Sequence, residues 1–160
     1  MGQDPFPQKL VADGIAFSCS NTQRPETSLR FIFQEINDTV YKDNREYDPD
    51  LKRWSNQGVL MINTAFTTTI GLIGKHYDVW RPFTTFLFDM LTYQDRDFIY
   101  VFMGKKSQEW IDVIPESNSI LTCSHPASAA YSMQDKWDSG DIFNKINVLS
   151  KKQFNTEIIW

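Results

Sequence analysis

The sequence predicts an α/β domain of three layers, an α/β/α sandwich whose central sheet is mostly parallel. Three observations carry that prediction. Residues 58–63 (GVLMIN), 98–103 (FIYVFM) and 119–123 (SILTC) are short and apolar at nearly every position, as strands buried on both faces are. Segments of helical period stand between them, and strand–helix alternation calls for a parallel sheet covered on two sides. A chain of 160 residues with 41% hydrophobic and 22% charged residues suits one globular domain spanning 1–160.

The elements follow in order. Residues 14–18 (GIAFS) read as a short strand or loop. Residues 28–41 read as a helix, because Leu29, Ile32, Phe33, Ile36 and Val40 share one face at a 3.6-residue period. Residues 42–57 are polar and carry the turn Asp48-Pro49-Asp50. After the strand 58–63, residues 64–80 have no period and read as loop. Pro82 suits the first turn of a helix reaching about Leu91. Strand 98–103 ends at Gly104, and 105–114 reads as a helix. Strand 119–123 leads into Ser124-His125-Pro126. Ile142, Phe143, Ile146 and Leu149 mark a last helix, with Ser139 or Asp141 near its start.

Sixteen Lys+Arg against 20 Asp+Glu give a net charge of −4. That excludes a protein that coats nucleic acid by bulk charge, though a local basic patch stays compatible with it. No apolar run approaches the roughly 20 residues of a membrane span, and the opening residues do not read as a secretory leader. Cys19 and Cys123 make neither a disulfide framework nor a CxxC metal motif, and read as free thiols. His76 and His125 are the only imidazoles, too few for a histidine-based zinc site. No GxGxxG or GxxxxGK[ST] phosphate loop is present.

In open parallel sheets, ligands bind beyond the carboxyl ends of the strands. The residues to inspect are therefore Asn63, Gly104 with Lys105, and His125, joined by Asp4 if a strand precedes it. Singly each is ordinary. Asp4-Pro5 is a turn pair, Asn63 a backbone cap, Phe17 core packing, Ser28 a helix N-cap and His125 a loop histidine.

Their order and spacing resemble the family-1 uracil-DNA glycosylases. Gly2-Gln3-Asp4-Pro5-Phe6 resembles that family's water-activating motif. Gly14-Ile15-Ala16-Phe17-Ser18 is similar to the segment whose aromatic stacks on a flipped base, and Ser28-Leu29 to the backbone-clamping loop. WSNQGVLMIN, from Trp54 to Asn63, resembles the strand ending in a base-reading asparagine. Phe102-Met103-Gly104 resembles the approach to a Gly-Ser phosphate loop, and Ser124-His125-Pro126-Ala127 the histidine loop.

The resemblance implies a uracil-DNA glycosylase-like fold and a monofunctional hydrolase acting in base-excision repair. It implies Asp4 and His125 as catalytic, with Gln3, Phe6, Phe17 and Asn63 holding the base. Ser28, Gly104, Lys105, Ala127 and Ser128 would meet the DNA backbone. It implies no metal and no other cofactor, no membrane partner, a monomer acting on uracil-containing DNA, single- or double-stranded, and a cytoplasmic setting in a bacterium or virus-infected cell. The chemistry suits the residue types. A nucleotide must leave the stack before its glycosidic bond is reached. A carboxylate beside the sugar stabilises its developing cation, and a neutral imidazole stabilises the leaving anion. An amide that both donates and accepts distinguishes uracil from cytosine.

Four departures from the family pattern stand out. Phe6 and Pro7 replace a tyrosine and a histidine. Ala127 and Ala129 stand where a serine and a wedging leucine are expected, which leaves Tyr131 or Met133 as the apolar plug. Lys105 replaces the serine of the Gly-Ser loop, and only Pro25 remains of the proline-rich clamp. Only Met1 precedes Gly2, so the strand expected before the opening motif is missing and the 160 residues are expected to be part of a longer protein. These departures keep a second reading open, a non-catalytic DNA-binding homologue or inactive fragment.

Overall fold

The computed structural model describes residues 1–94, 96–115 and 118–160. The sheet pairs β1 (Ile99–Met103) with β2 (Ser119–Cys123) in parallel, Ile99 opposite Ser119 and Met103 opposite Cys123. Both lie within the two predicted runs. Side chains alternate across β1: Tyr100 and Phe102 enter one apolar cluster with Phe88, Trp110 and Ile114, while Met103 enters another with Leu29, Ile32 and Phe143. A period of two that feeds two separate cores is the signature of a sheet covered on both faces.

The predicted strand 58–63 is not a strand: Gly58 is a turn residue at φ 89°, and the segment forms a single parallel bridge, Gly2 to Asn63. An extended segment gains a ladder only where a neighbour offers amides and carbonyls in register. Met1 and Gly2 supply that neighbour. The Gly2 N–H donates to Ile62 O at 2.9 Å and Thr64 N–H donates to Gly2 O at 3.1 Å. On its other side the Met1 backbone nitrogen donates to Val101 O at 2.6 Å, and Met1 O accepts from Met103 N–H. Two residues thus tie the 58–63 segment to β1.

The first helix, α1 (Thr27–Ile36), buries Leu29, Ile32, Phe33 and Ile36 as the period predicts. It widens into a π turn over Asn37–Tyr41, where Thr39 Oγ1 donates to Glu35 O at 2.7 Å and competes with the backbone for that carbonyl. The polar stretch 42–57 contains the expected turn, built on Asp50 N–H donating to Asp48 Oδ1. It also contains a short helix that polarity conceals, α2 (Lys52–Ser55), whose only buried side chain is Trp54.

Helix α3 runs Tyr77–Thr92, so Pro82 lies inside it and the loop reading of 77–80 is corrected. A proline near a helix start loses a single backbone bond, and Trp80 N–H already donates to His76 O at 3.1 Å. The predicted helix 105–114 splits into α4 (Lys105–Gln108) and a 3-10 turn (Ile111–Val113), with Trp110 buried between them. A short α5 (Ser128–Tyr131) follows β2. The last helix, α6 (Ile142–Phe154), is started by Ser139, whose Oγ accepts Ile142 N–H at 3.0 Å; Asp141 sits left-handed at φ 63°. Trp160 closes over Trp54 and Phe143 with edge-on ring contacts. Cys19 and Cys123 are both buried and unpaired.

Candidate active site

A cleft of about 830 Å³ opens at the carboxyl ends of the strands. Its lining includes Gln3, Asp4, Phe6, Phe17, Ser28, Asn63, His125, Ala127, Ser128 and Tyr131. Residues from five separate segments therefore meet at the sheet edge that the topology rule singles out. Gly104 and Lys105 do not line it. Gly104 instead backs His125, and Lys105 is an exposed first residue of α4.

The opening motif is held from several sides. Gln3 O accepts both Thr64 Oγ1–H at 2.7 Å and Ala65 N–H at 2.9 Å. Thr84 Oγ1 in turn donates to Thr64 O. Pro7 O accepts Gly71 N–H at 2.8 Å, and Asp4 Oδ2 accepts Gly74 N–H at 2.6 Å. The residues 64–76 thus wrap the motif, although they carry no periodic signal.

Phe17 is buried with a left-handed backbone, φ 66°. That conformation is costly for a residue with a Cβ. Its neighbours enforce it. Asp13 Oδ1 accepts Ile15 N–H, while Oδ2 accepts Ser18 Oγ–H at 2.6 Å and Ser20 N–H at 2.7 Å. Burial pushes the Asp13 carboxyl up, but these hydrogen bonds outweigh it and hold it below its usual range. Ser18 Oγ also accepts Leu51 N–H, and Ala16 N–H donates to Met61 O. The phenyl ring is thereby fixed, its centroid 5.8 Å from that of His125.

Gly2 is where the base-facing groups converge. A Cβ there would stand 2.5 Å from Asn63 Oδ1 and 2.9 Å from Phe17 Cζ. A hydrogen atom is all the space allows, so the glycine lets the amide and the ring approach each other.

His125 is held by its own loop. Ala127 N–H donates to Nδ1 at 3.2 Å, which leaves the ring proton on Nε2. Burial lowers its pKa, against an upward pull from the Asp4 charge. The group is a neutral imidazole with a single N–H to offer. Gly104, at φ 96°, lies against it: a Cβ there would stand 2.8 Å from His125 Cβ. Of the two wedge candidates, Tyr131 lines the cleft and is exposed, whereas Met133 is exposed outside the lining. Ala129 is only 1% exposed, packed in the core outside the cleft lining.

Sequence reasoning overlooked Asp13, Gly74 and Tyr77. The Tyr77 ring packs on Gly74, whose added Cβ would stand 2.8 Å from its Cε2. Burial, then the nearby Asp4 charge, push the phenol far up. A usable signal lay in the helix start that follows His76, a place where side chains point back at the preceding turn.

No family model matches the chain. A uracil-DNA glycosylase of Mesomycoplasma hyopneumoniae is 30% identical over 162 aligned positions, covering 100% of this chain and 72% of that protein. The Chlamydia muridarum uracil-DNA glycosylase is 32% identical over 164 positions, covering 100% and 70%. The crystal structure of mimivirus uracil-DNA glycosylase superposes with a TM-score of 0.85 at 29% identity, over 99% of this chain and 65% of that one. The chain thus spans about two thirds of the solved relative.

Proposed function

The chain belongs to the uracil-DNA glycosylase family, and on that premise we propose that its cleft excises uracil from DNA with Asp4 and His125 as the catalytic pair. The single observation that supports this most is the meeting of Phe17, Asn63 and a neutral, Nε2-protonated His125 around one pocket.

In this reading the flipped deoxyuridine stacks on Phe17, and the Asn63 amide pairs with O4 and N3–H. Phe6 closes the space beside C5 that the thymine methyl needs, and the Gln3 backbone supports the O2 side. The bond from C1′ to N1 breaks with its electron pair going to uracil. Nε2–H of His125 donates to O2 of that anion, where a fixed donor is worth most. Asp4 stabilises the sugar cation and orients the water whose oxygen bonds to C1′. The water's proton leaves through the carboxylate. No lysine in the motifs is placed for a Schiff base, so no strand-cleaving step follows.

Ser28, Ala127 and Ser128 at the cleft, with the exposed Lys105 beside it, contact phosphates in this reading, which sets position and salt dependence, not sequence preference; Gly104 is buried with its N–H and O already bonded to Cys123, Ser107 and Gln108 and backs His125 instead. Tyr131 wedges the duplex where the base leaves. The protein acts as a monomer and a single domain, on DNA of a bacterial or virus-infected cytosol. Among the described residues no helix is long and apolar enough to cross a membrane.

The test uses uracil-containing single- and double-stranded oligonucleotides, followed by alkali. Strand breaks at uracil that vanish in Asp4→Asn and in His125→Ala are the expected outcome. Binding without breaks by the wild-type chain would favour the non-catalytic homologue.

A further inference from the structure

Two loops of the cleft carry side chains that the catalytic reading leaves unused. Lys9 and Leu10 follow the opening motif, Ile70 and Ile73 lie in the stretch after Asn63, and all four line the cleft. Leu10 is 76% exposed, Ile70 67% and Ile73 56%. Aliphatic side chains so open to water inside a cleft mark a surface that a ligand covers. Leu10 also has a left-handed backbone at φ 63°, an outlier for a bulky side chain. No apolar burial of its own offsets that cost, and strain held without burial points to a use for the side chain. The two loops are joined, because Pro7 O accepts Gly71 N–H at 2.8 Å. A tight turn presents the isoleucines: Leu72 N–H donates to Thr69 O at 2.9 Å, and Thr68 Oγ1–H donates to Leu72 O at 2.6 Å. The Thr67 and Thr69 hydroxyls bracket the His76 ring nitrogens at 2.9 Å and 3.1 Å, and Trp80 Nε1–H donates to Thr67 Oγ1. Hydrogen bonds thus fix this rim before any ligand arrives.

The charge of the rim narrows what it fits. Among the described residues of the lining, Asp4 and Glu26 are acidic and Lys9 is the one cation. Lys9 is exposed and forms no ion pair with a described residue. A cation set among three aliphatic side chains complements a nucleotide, which joins a phosphate anion to a base with apolar faces. We infer that Lys9, Leu10, Ile70 and Ile73 form a subsite for the nucleotide beside the extruded one on the same strand: the ammonium takes its phosphate, and the aliphatic side chains cover its base. The inference rests on the glycosylase reading, which brings a strand to this cleft. The cleft of about 830 Å³ has the room, since one pyrimidine ring fills only part of a volume on the scale of a drug-sized ligand site. Extruding the uridine also strips its neighbour of a stacking partner, and apolar side chains are the groups that cover unstacked bases.

The test is a cycle on two single-stranded oligonucleotides. One has a central deoxyuridine among ordinary neighbours; in the other, the neighbours on both sides lack bases. Leu10→Asn suits the cycle, because asparagine accepts a left-handed backbone and offers no aliphatic surface. Its urea midpoint should match or exceed that of wild type, while kcat/KM for uracil release falls about 5- to 10-fold on the first oligonucleotide, the loss for one partly covered leucine. On the second, wild type and variant should agree within about twofold. An equal loss on both, or no loss on either, overturns the base contact. Ile70→Ala repeats the cycle if Leu10→Asn does not fold. Binding is read on copies with a 2′-fluorinated deoxyuridine, whose sugar cation is too costly to form. Lys9→Gln should flatten the slope of log Kd against log salt by about 0.7. Lys152→Gln should keep the wild-type slope, since Lys152 is exposed next to Gln153, which bonds Ser119 at the amino end of β2. A wild-type slope in Lys9→Gln overturns the phosphate contact. If wild type binds but releases no uracil, the excision reading fails, and Kd values on the two oligonucleotides complete the cycle in its place. If wild type binds neither, the subsite is overturned.

Discussion

Replacing Gly2 with alanine is a one-carbon perturbation whose size follows from the geometry. The backbone of Gly2 cannot retreat, because its N–H is bonded to Ile62 O at 2.9 Å and its O receives Thr64 N–H at 3.1 Å. The new Cβ would lie 2.5 Å from Asn63 Oδ1 and 2.9 Å and 3.2 Å from two Phe17 ring carbons. Comfortable contacts are about 3.5 Å or more, so the amide and ring must part by roughly an ångström. Overpacking of this kind costs about 1–3 kcal/mol of stability. Misplacing a substrate-positioning group by about 1 Å costs roughly 10²-fold in rate. Gly2→Ala should therefore unfold at lower urea and release uracil roughly 10²-fold more slowly, both measured on the same preparation. A variant with wild-type stability and wild-type rate would refute the claim that Asn63 and Phe17 converge on this glycine.

Two further outcomes follow from titration. His125 should give a pyridine-like Nδ1 and a pyrrole-like Nε2 in ¹⁵N NMR, and because burial lowers its pKa it should stay neutral below the usual 6.5; a doubly protonated ring at pH 6.5 would remove the donor assigned to it. Glu35 is buried and accepts Ser139 N–H and Oγ–H, and burial raises its pKa above 4.5. The unfolded chain then ionises first as pH rises, so stability present below 4.5 is lost towards the folded pKa. Urea midpoints of wild type minus Glu35→Gln should fall as pH climbs from 4.5, and parallel curves would discard the linkage.

Much of the cleft was legible in the order and spacing of the motifs. Asp4, Phe17, Asn63 and His125 are ordinary singly, a turn acid, a core aromatic, a backbone cap and a loop histidine, and it is their sequence of motifs, similar to that of the uracil-DNA glycosylases, that gathers them into one site. Ten of the twelve residues named as site candidates line one cleft, all but Gly104 and Lys105. The strands β1 and β2 were legible because burial on both faces leaves only apolar positions. The rest depended on pairing or on side-chain bonds between distant segments. The 58–63 segment reads as a strand, but a ladder needs a partner that its own composition does not specify. Residues 64–76 look structureless, and their order comes from Thr67, Thr69, His76 and Trp80 hydrogen-bonding one another. Tyr77 was hidden because Pro82 drew the helix start one turn too late. Lys105, expected from its place at the Gly-Ser position, is the exposed first residue of α4 and lies outside the cleft lining.

The left-handed backbone at Phe17 sets two selection pressures against each other. Asparagine or glycine would relax φ 66° at that position. Either exchange trades an aromatic stacking surface for a calmer main chain. Libraries screened for heat tolerance alone would drift towards such exchanges and yield sturdier proteins that no longer grip a pyrimidine. Screens that also demand uracil release would keep the ring and find their added stability elsewhere.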